Sequence, residues 1–394
     1  MSQPTLPPTV PLWLLTLLTF SGTLAMHIFV PALPQAAADL GAGIGAMQMT
    51  VSLYIFGLAV GQLIYGPISD RFGRRPTLMA GLTIYVVAGL AAALSTGVNA
   101  LIAARLFQAL GGCAGLVLGR AIVRDLAAPG EAARRIALMN LMTTLGPGLA
   151  PMVGGALTTT LGWRSILFFL SLLGVVNFLL TWRLLPETSQ GASTTDLRSL
   201  SRHYRQLLTS PSFLGYAIGG GFATTSMFAF IASAPFVFTH QLNRPTQEVG
   251  IYLGILIAGV WLGSMLASYL IPRRPIAQLL VQSNLASVVA GFGFLAFAWT
   301  DQLSVVAVVG CLFVYSVGVG VAAPTALGQA ISVNPQVIGS ASGLYGFTQM
   351  TIGAVCTAVA GLGDNPALST AIVLAAACVL AQGAFWIAQR PRRR

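Results

Sequence analysis

The chain has 394 residues, is 56% hydrophobic and only 7% charged, and carries a net charge of +11. A soluble domain has about 25% charged residues, so this composition excludes an ordinary water-soluble globule and makes lipid the solvent for most of the surface. All 20 basic residues are arginine, placed mainly in short connections between apolar runs, which excludes a soluble nucleic-acid-binding face.

A membrane-crossing helix needs about 20 largely apolar residues. Runs of that kind fall at 10–33, 47–69, 77–96, 100–123, 136–160, 164–185, 212–238, 247–270, 277–298, 303–327, 337–361 and 367–388. They predict twelve helices in an all-α membrane protein. Met1–Pro11 has no basic residue, and the first run is long enough to remain a helix rather than a cleaved leader.

The connection between the second and third runs is Gly66-Pro67-Ile68-Ser69-Asp70-Arg71-Phe72-Gly73-Arg74-Arg75-Pro76. It holds one acid, three arginines and two glycines, so it belongs in water as a tight turn. This connection and the alternate ones carry Arg71, Arg74, Arg75, Arg124, Arg134, Arg135, Arg183, Arg198, Arg202, Arg205, Arg273 and Arg274, and the C-terminal tail adds Arg390, Arg392, Arg393 and Arg394. The opposite connections carry Arg164 and Arg244. Arginine bias of this kind places the turn and both termini in the cytoplasm.

The longest polar stretch, Glu187–Pro211, lies at mid-chain. It predicts a first six-helix bundle over 1–186, a cytoplasmic linker over 187–211 and a second six-helix bundle with a short basic tail over 212–394. A faint repeat agrees: Tyr54, Gly61 and Arg74-Arg75-Pro76 are echoed by Tyr252, Gly259 and Arg273-Arg274-Pro275. Two repeated halves with a site between them are the plan of a secondary transporter. The four cysteines stand singly in apolar runs, without metal or redox spacing. No Walker-type phosphate loop or nucleophile–base set is present, so the expectation is a non-enzyme that runs on a gradient, without metal or cofactor.

Arg105 sits inside the fourth run, where a charge at the centre of a span costs about 2.5–3.5 kcal/mol on insertion scales. It marks either a functional cavity group or a structural arginine satisfied by backbone carbonyls and Gln108. The fifth run holds Gly146, Pro147, Gly148, Pro151, Gly154 and Gly155. Small residues at helical spacing let backbones approach and proline bends the helix, which serves a gate or an ordinary packing face. Candidate pocket walls are Tyr54, Gln62, Gln108, Asn140, Phe228, Phe230, Trp261, Tyr345 and Gln349, since aromatic surface with a few polar groups suits a small-molecule site.

These motifs carry a family resemblance. Gly66-x-x-x-Asp70-Arg71-x-Gly73-Arg74-Arg75 resembles the loop between helices 2 and 3 of the major facilitator superfamily. Arg105-Leu-Phe-Gln108-Ala-Leu-Gly111-Gly112 resembles the helix 4 motif of its proton-coupled members, and Gly146–Gly155 the helix 5 motif of its antiporters. Val30-Pro31-Ala32-Leu33-Pro34 and Arg120-Ala-Ile-Val-Arg124-Asp125 resemble the Bcr/CflA group of drug exporters, which includes bicyclomycin and phenicol resistance proteins.

The resemblance implies that Asp70 caps a neighbouring helix and that Arg74 pairs with Asp125, together a cytoplasmic latch; the bland reading of the same charges is topology alone. It further implies alternating-access export of small amphipathic compounds, exchanged for protons across a bacterial inner membrane. The expected partners are substrate, protons and lipid, with no nucleic acid and a monomeric state. The group usually has an acid in helix 1, where this chain has His27, and no carboxylate lies well inside a span. His27 is therefore the expected proton carrier, since histidine titrates nearest neutral pH, or else a neutral hydrogen-bonding group in the pocket. A cavity with Arg105, His27 and no acid suits neutral or anionic cargo. A proton-independent facilitator or metabolite exporter of the same fold is the alternative, and a membrane sensor a remote one.

Overall fold

The computed structural model describes residues 10–127, 129–188, 197–334 and 337–389, and within these gives 129–130, 132–134, 137, 140–147, 197–200 and 338–339 by backbone alone. Regular structure among the described residues is helical. In chain order the first half holds α1 (Leu12–Asp39), α2 (Ile44–Phe72), α3 (Arg74–Ala93), α4 (Val98–Leu126), α5 (Pro129–Leu161) and α6 (Arg164–Leu184). A short helix, α7 (Leu197–Leu208), follows. The second half holds α8 (Pro211–Gln241), α9 (Thr246–Leu270), α10 (Ile276–Trp299), α11 (Val305–Ser332), α12 (Ile338–Ala360) and α13 (Pro366–Gln389).

Two of the long helices are composite. α1 changes to a tighter turn at Val30–Ala32, where Pro31 has no N–H to donate to a regular helical ladder. α8 is interrupted near Ser226 and widens into a π-type turn at Val237–Gln241, just after Pro235. Both extend beyond the predicted 10–33 and 212–238 runs, because apolarity stops before the helix does.

Ten described helices are long and apolar enough to cross a membrane. α5 and α12, of 33 and 23 residues, are long enough but carry many glycines and threonines, with three prolines in α5 and two serines in α12. Their position accounts for this. α12 packs along α2, and α5 along α9, so each is shielded by the opposite half and has less lipid to face. Outward-facing positions elsewhere are apolar: Val87, Leu172, Trp182, Val289, Trp299 and Trp386 are each more than half exposed. In water such a surface would be an aggregation hazard; in lipid it is the expected exterior.

The cores also follow the halves. One apolar cluster is built mainly from α1–α6, and others from α8–α13. They interlock at the end away from the basic turn: Ala232, Phe236 and Ala354 join the first-half cluster, and Val30 joins a second-half one. α7 lies at the opposite end. Its Leu207 is buried and Tyr204 half-buried against the second half, so the mid-chain polar stretch contains a docked amphipathic helix rather than a plain linker. Leu197, Leu200, Tyr204 and Leu207 recur at helical spacing, a signal outweighed by the surrounding polar residues.

Candidate functional site

The basic turn is a charge network built around Arg74. Its Nε donates to Asp125 Oδ2 at 2.9 Å, and its Nη1 donates to Asp70 Oδ1 at 2.5 Å and Ser69 Oγ at 2.6 Å. This single half-buried guanidinium therefore ties the end of α2 to the end of α4. Exposed ion pairs contribute about 0.2–1 kcal/mol each, a scale suited to a contact that must open.

The α2–α3 corner turns at Gly73, whose φ of 96° and ψ of 154° lie in a region open essentially to glycine alone. The first backbone N–H groups of α3, from Arg74 and Arg75, donate to the Glu187 carboxylate at 2.9 and 3.1 Å. A Cβ on Gly73 would sit 2.6 Å from Glu187 Oε2 and would displace that carboxylate from the helix end. The carboxylate that holds the N-terminus of α3 is thus Glu187, over a hundred residues away in sequence. Asp70, the residue expected to cap a helix, is bonded to Arg74 in this conformation and faces a cleft. Gly66 has open space where a Cβ would stand, so close packing does not explain it here.

That cleft has a volume of about 340 Å³ and opens at the basic end, between the two halves. α2 contributes Gln62, Gly66 and Asp70, and α4 contributes Val117, Arg120, Ala121 and Arg124. Tyr204 of α7 and Ser340, Ser342 and Gly343 of α12 form the facing wall. The α4 residues recur three and four apart, so one helical stripe presents two arginines to the hollow. Burial raises the Tyr204 hydroxyl above the ordinary tyrosine range, leaving it a neutral donor at physiological pH.

The halves touch beside the cleft, where Gln62 lies against Gly346 and Leu63 packs on a second-half cluster, and they meet again at the far end. Gln48 of α2 donates to Ser233 of α8 at 2.8 Å, and Ser233 is also bonded to Thr370 of α13. Gly45 lies against the Gly361 carbonyl, and Gly250 of α9 against Pro151 and Met152 of α5. Within the first half, the Gly154 face of α5 lies directly on the Ile28 carbonyl, so a Cβ there has no space. A Cβ on Gly148 would meet Ile257 at ordinary contact distance, and Gly155 faces open space. Pro151 walls a small apolar cavity with His27, Met227, Ile231, Leu253, Leu256 and Ile257. Gly146, Pro147 and Asn140 have side-chain surroundings outside the described residues.

His27 is 6% exposed and sits at this seam, its ring edge-on to Phe228 of α8 with centroids 6.2 Å apart. Arg105 is 0% exposed and adds no accessible surface to any hollow. Its Nη1 donates to Gln108 Oε1 at 2.7 Å and its Nη2 to the Ala25 carbonyl at 2.8 Å. The guanidinium stacks 4.1 Å from the Tyr54 ring centre and 5.1 Å from that of Phe29. It braces α1, α2 and α4 inside the first half, while its Nε is buried without a hydrogen-bond partner.

The other candidate wall residues do not converge. Tyr54 donates to the Gly22 carbonyl at 2.8 Å, and Phe230 packs edge-on to Phe238 and Phe294 inside the second half. Tyr345 is buried there as well, and Gln349 donates to Thr224 at 2.7 Å. Trp261 is half-buried on α9. The structure brings Gln62, Gly66, Asp70 and Arg74 together at the cleft, with Asp125 just behind, and His27, Phe228 and Pro151 at the far seam. Sequence reasoning missed Glu187, Tyr204 and the cleft role of Arg120 and Arg124; the i, i+4 arginine pair was the available signal for the last two.

Helices with a lipid-facing exterior, two groups meeting at one end and a cleft at the other, define a multi-pass membrane transporter. The Major Facilitator Superfamily model matches residues 15–358, and the chain belongs to that family. It is similar to "Multidrug resistance protein D" of Escherichia coli (strain K12), 31% identical over 86% of this chain and 85% of the relative. It is also similar to "Bicyclomycin resistance protein homolog" of Haemophilus influenzae, 25% identical over 84% and 83%. Among solved structures, the crystal structure of the nucleoside transporter NupG (D323A mutant) aligns with a TM-score of 0.77 at 15% identity, covering 96% of this chain and 99% of that one.

Proposed function

We infer that the chain exports small amphipathic, neutral or anionic compounds, drugs among them, across the bacterial inner membrane in exchange for protons. The observation that carries this is the cleft at the basic end, paired with inter-half contacts at the opposite end. That is the geometry of one state in alternating access, the state open to the cytoplasm if the arginine bias sets orientation. The reading takes twelve crossings, both termini in the cytoplasm, six-helix halves over 1–186 and 212–394, and a monomer. The names of the two relatives support drug-like cargo. Energy comes from the proton gradient, without a bound cofactor.

In this scheme the Arg74–Asp70–Asp125 network is a latch. In the cleft-open state Asp70 is held by Arg74; closing brings the start of α12 towards it. His27 is the coupling group. Its pocket is walled by apolar side chains of both halves, so a proton there places a cation where desolvation disfavours it. A proton taken up in the outward-open state is therefore shed when the far end joins again and the cleft faces the cytoplasm, so protons move inward as cargo moves out. The α5–α9 contact at Gly148, Pro151 and Gly250 is the surface on which the halves rock.

The test is a drug-susceptibility panel in an efflux-deficient bacterium expressing the chain, with and without a protonophore. The reading predicts raised tolerance to at least one amphipathic neutral or anionic compound, lost when the gradient collapses. No change for any compound would refute export. Tolerance that survives the protonophore would favour the second reading, a proton-independent facilitator, which the lack of a carboxylate well inside a span motivates.

A further inference from the structure

We propose that the stripe formed by Arg120 and Arg124 is an anion-binding entry site, which takes the carboxylate, sulfonate or phosphate of a compound entering the cleft. The inference rests on the export reading and assigns the recognition of charge to the cleft rather than to Arg105.

Three observations point there. First, both arginines line the hollow from one face of α4, four residues apart, where like charges repel unless an anion lies between or beside them. Second, neither has an ion-pair partner among the described residues, and Arg120 Nε is shut away from solvent without a hydrogen-bond partner. The nearby acids are engaged elsewhere: Asp125 and Asp70 both bind Arg74. Third, the rest of the wall supplies what an amphipathic anion needs. Gln62, Tyr204, Ser340 and Ser342 bring hydrogen-bonding groups, and Leu63 and Val117 bring apolar surface. Arginine presents a planar fork of donors that matches a carboxylate or phosphate, and a low-dielectric wall strengthens the attraction.

The same chemistry fits two sources, the anionic group of a soluble amphiphile and the headgroup of an anionic lipid. The experiment separates them. Full-length protein in phosphatidylcholine nanodiscs is titrated with pyrene-1-sulfonate and, separately, with trimethyl(1-pyrenyl)ammonium, and binding is read by fluorescence. Wild type is expected to bind the sulfonate about tenfold or more tighter than the ammonium, because two arginines on one wall favour an anion over a cation. Arg120→Gln removes that preference, Arg120→Lys keeps part of it, and high salt weakens it. Arg124→Gln, at an exposed position that tolerates substitution, carries the test if Arg120→Gln does not fold.

Phosphatidylglycerol is then added to the discs. Displacement of the sulfonate from wild type identifies a headgroup as a competing occupant, and no displacement identifies the soluble anion; either outcome supports the site. Equal affinity for the two probes in wild type, or sulfonate binding unchanged in folded Arg120→Gln and Arg124→Gln, overturns it. The readout needs no transport, so its failure leaves the export reading intact, and a negative susceptibility panel leaves this site intact.

Discussion

Replacing Arg105 with methionine decides whether this guanidinium braces the first half or handles cargo. Methionine fills most of the space but leaves the Ala25 carbonyl and Gln108 Oε1 without their donor. An orphaned buried acceptor costs about 1–3 kcal/mol. Losing the stacking on Tyr54 and Phe29 adds about 0.5–2 kcal/mol per ring. Against this, methionine needs no burial of charge, a relief of several kcal/mol. The two orphaned acceptors and two lost ring contacts together outweigh that relief, so the net expectation is a destabilisation of about 2–4 kcal/mol. The four cysteines are free and three are buried, so a thiol-reactive dye reports unfolding directly. Arg105→Met should melt several degrees below wild type, while export per folded molecule of a compound chosen from the panel changes little. A variant that melts with wild type but no longer exports would refute the brace and return Arg105 to the transport machinery.

Three further outcomes are expected. Glu187→Gln keeps the hydrogen-bond geometry at the start of α3 but removes the charge, a loss of about 0.3–1 kcal/mol; Gly73→Ala at the same corner costs about 1–3 kcal/mol, so the second variant should melt below the first in the thiol-dye assay, and the reverse order would contradict the capping geometry. Gly154→Val drives a branched side chain into the Ile28 carbonyl and should abolish well-folded protein on size-exclusion chromatography, whereas Gly155→Val, at open space, should elute as wild type. His27→Gln should remove the acceleration of export by external acid in proteoliposomes; an unchanged response to the pH gradient would exclude His27 as the coupling group.

Much of the fold was legible because membranes make apolarity and length nearly sufficient. The basic turn announced itself too: Asp70, Gly73 and Arg74 carry charge and conformational demands that no apolar span supplies. What the sequence hid was direction and distance. Hydropathy places Arg105 within a span, but nothing in an almost wholly apolar helix says which way it points. The same blindness scattered the proposed aromatic wall, since Tyr54, Phe230 and Tyr345 fill bundle cores rather than a shared hollow. Glu187 was unreadable for another reason: its partners at Arg74 and Arg75 lie over a hundred residues earlier in the chain, and only tertiary folding joins them. Arg120 and Arg124 stand four residues apart near the end of α4, and only the cleft gives them a common neighbour.

The most direct test of the account is to tie the far end shut. In a chain whose native cysteines are replaced by serine, Gln48→Cys and Ser233→Cys place thiols where α2 and α8 now touch. A short, reducible bis-thiosulfonate reagent would then hold the halves together there. The account predicts that the cross-linked protein loses export of the chosen compound and regains it on reduction, because release requires this end to part. Full export by the cross-linked protein would contradict it.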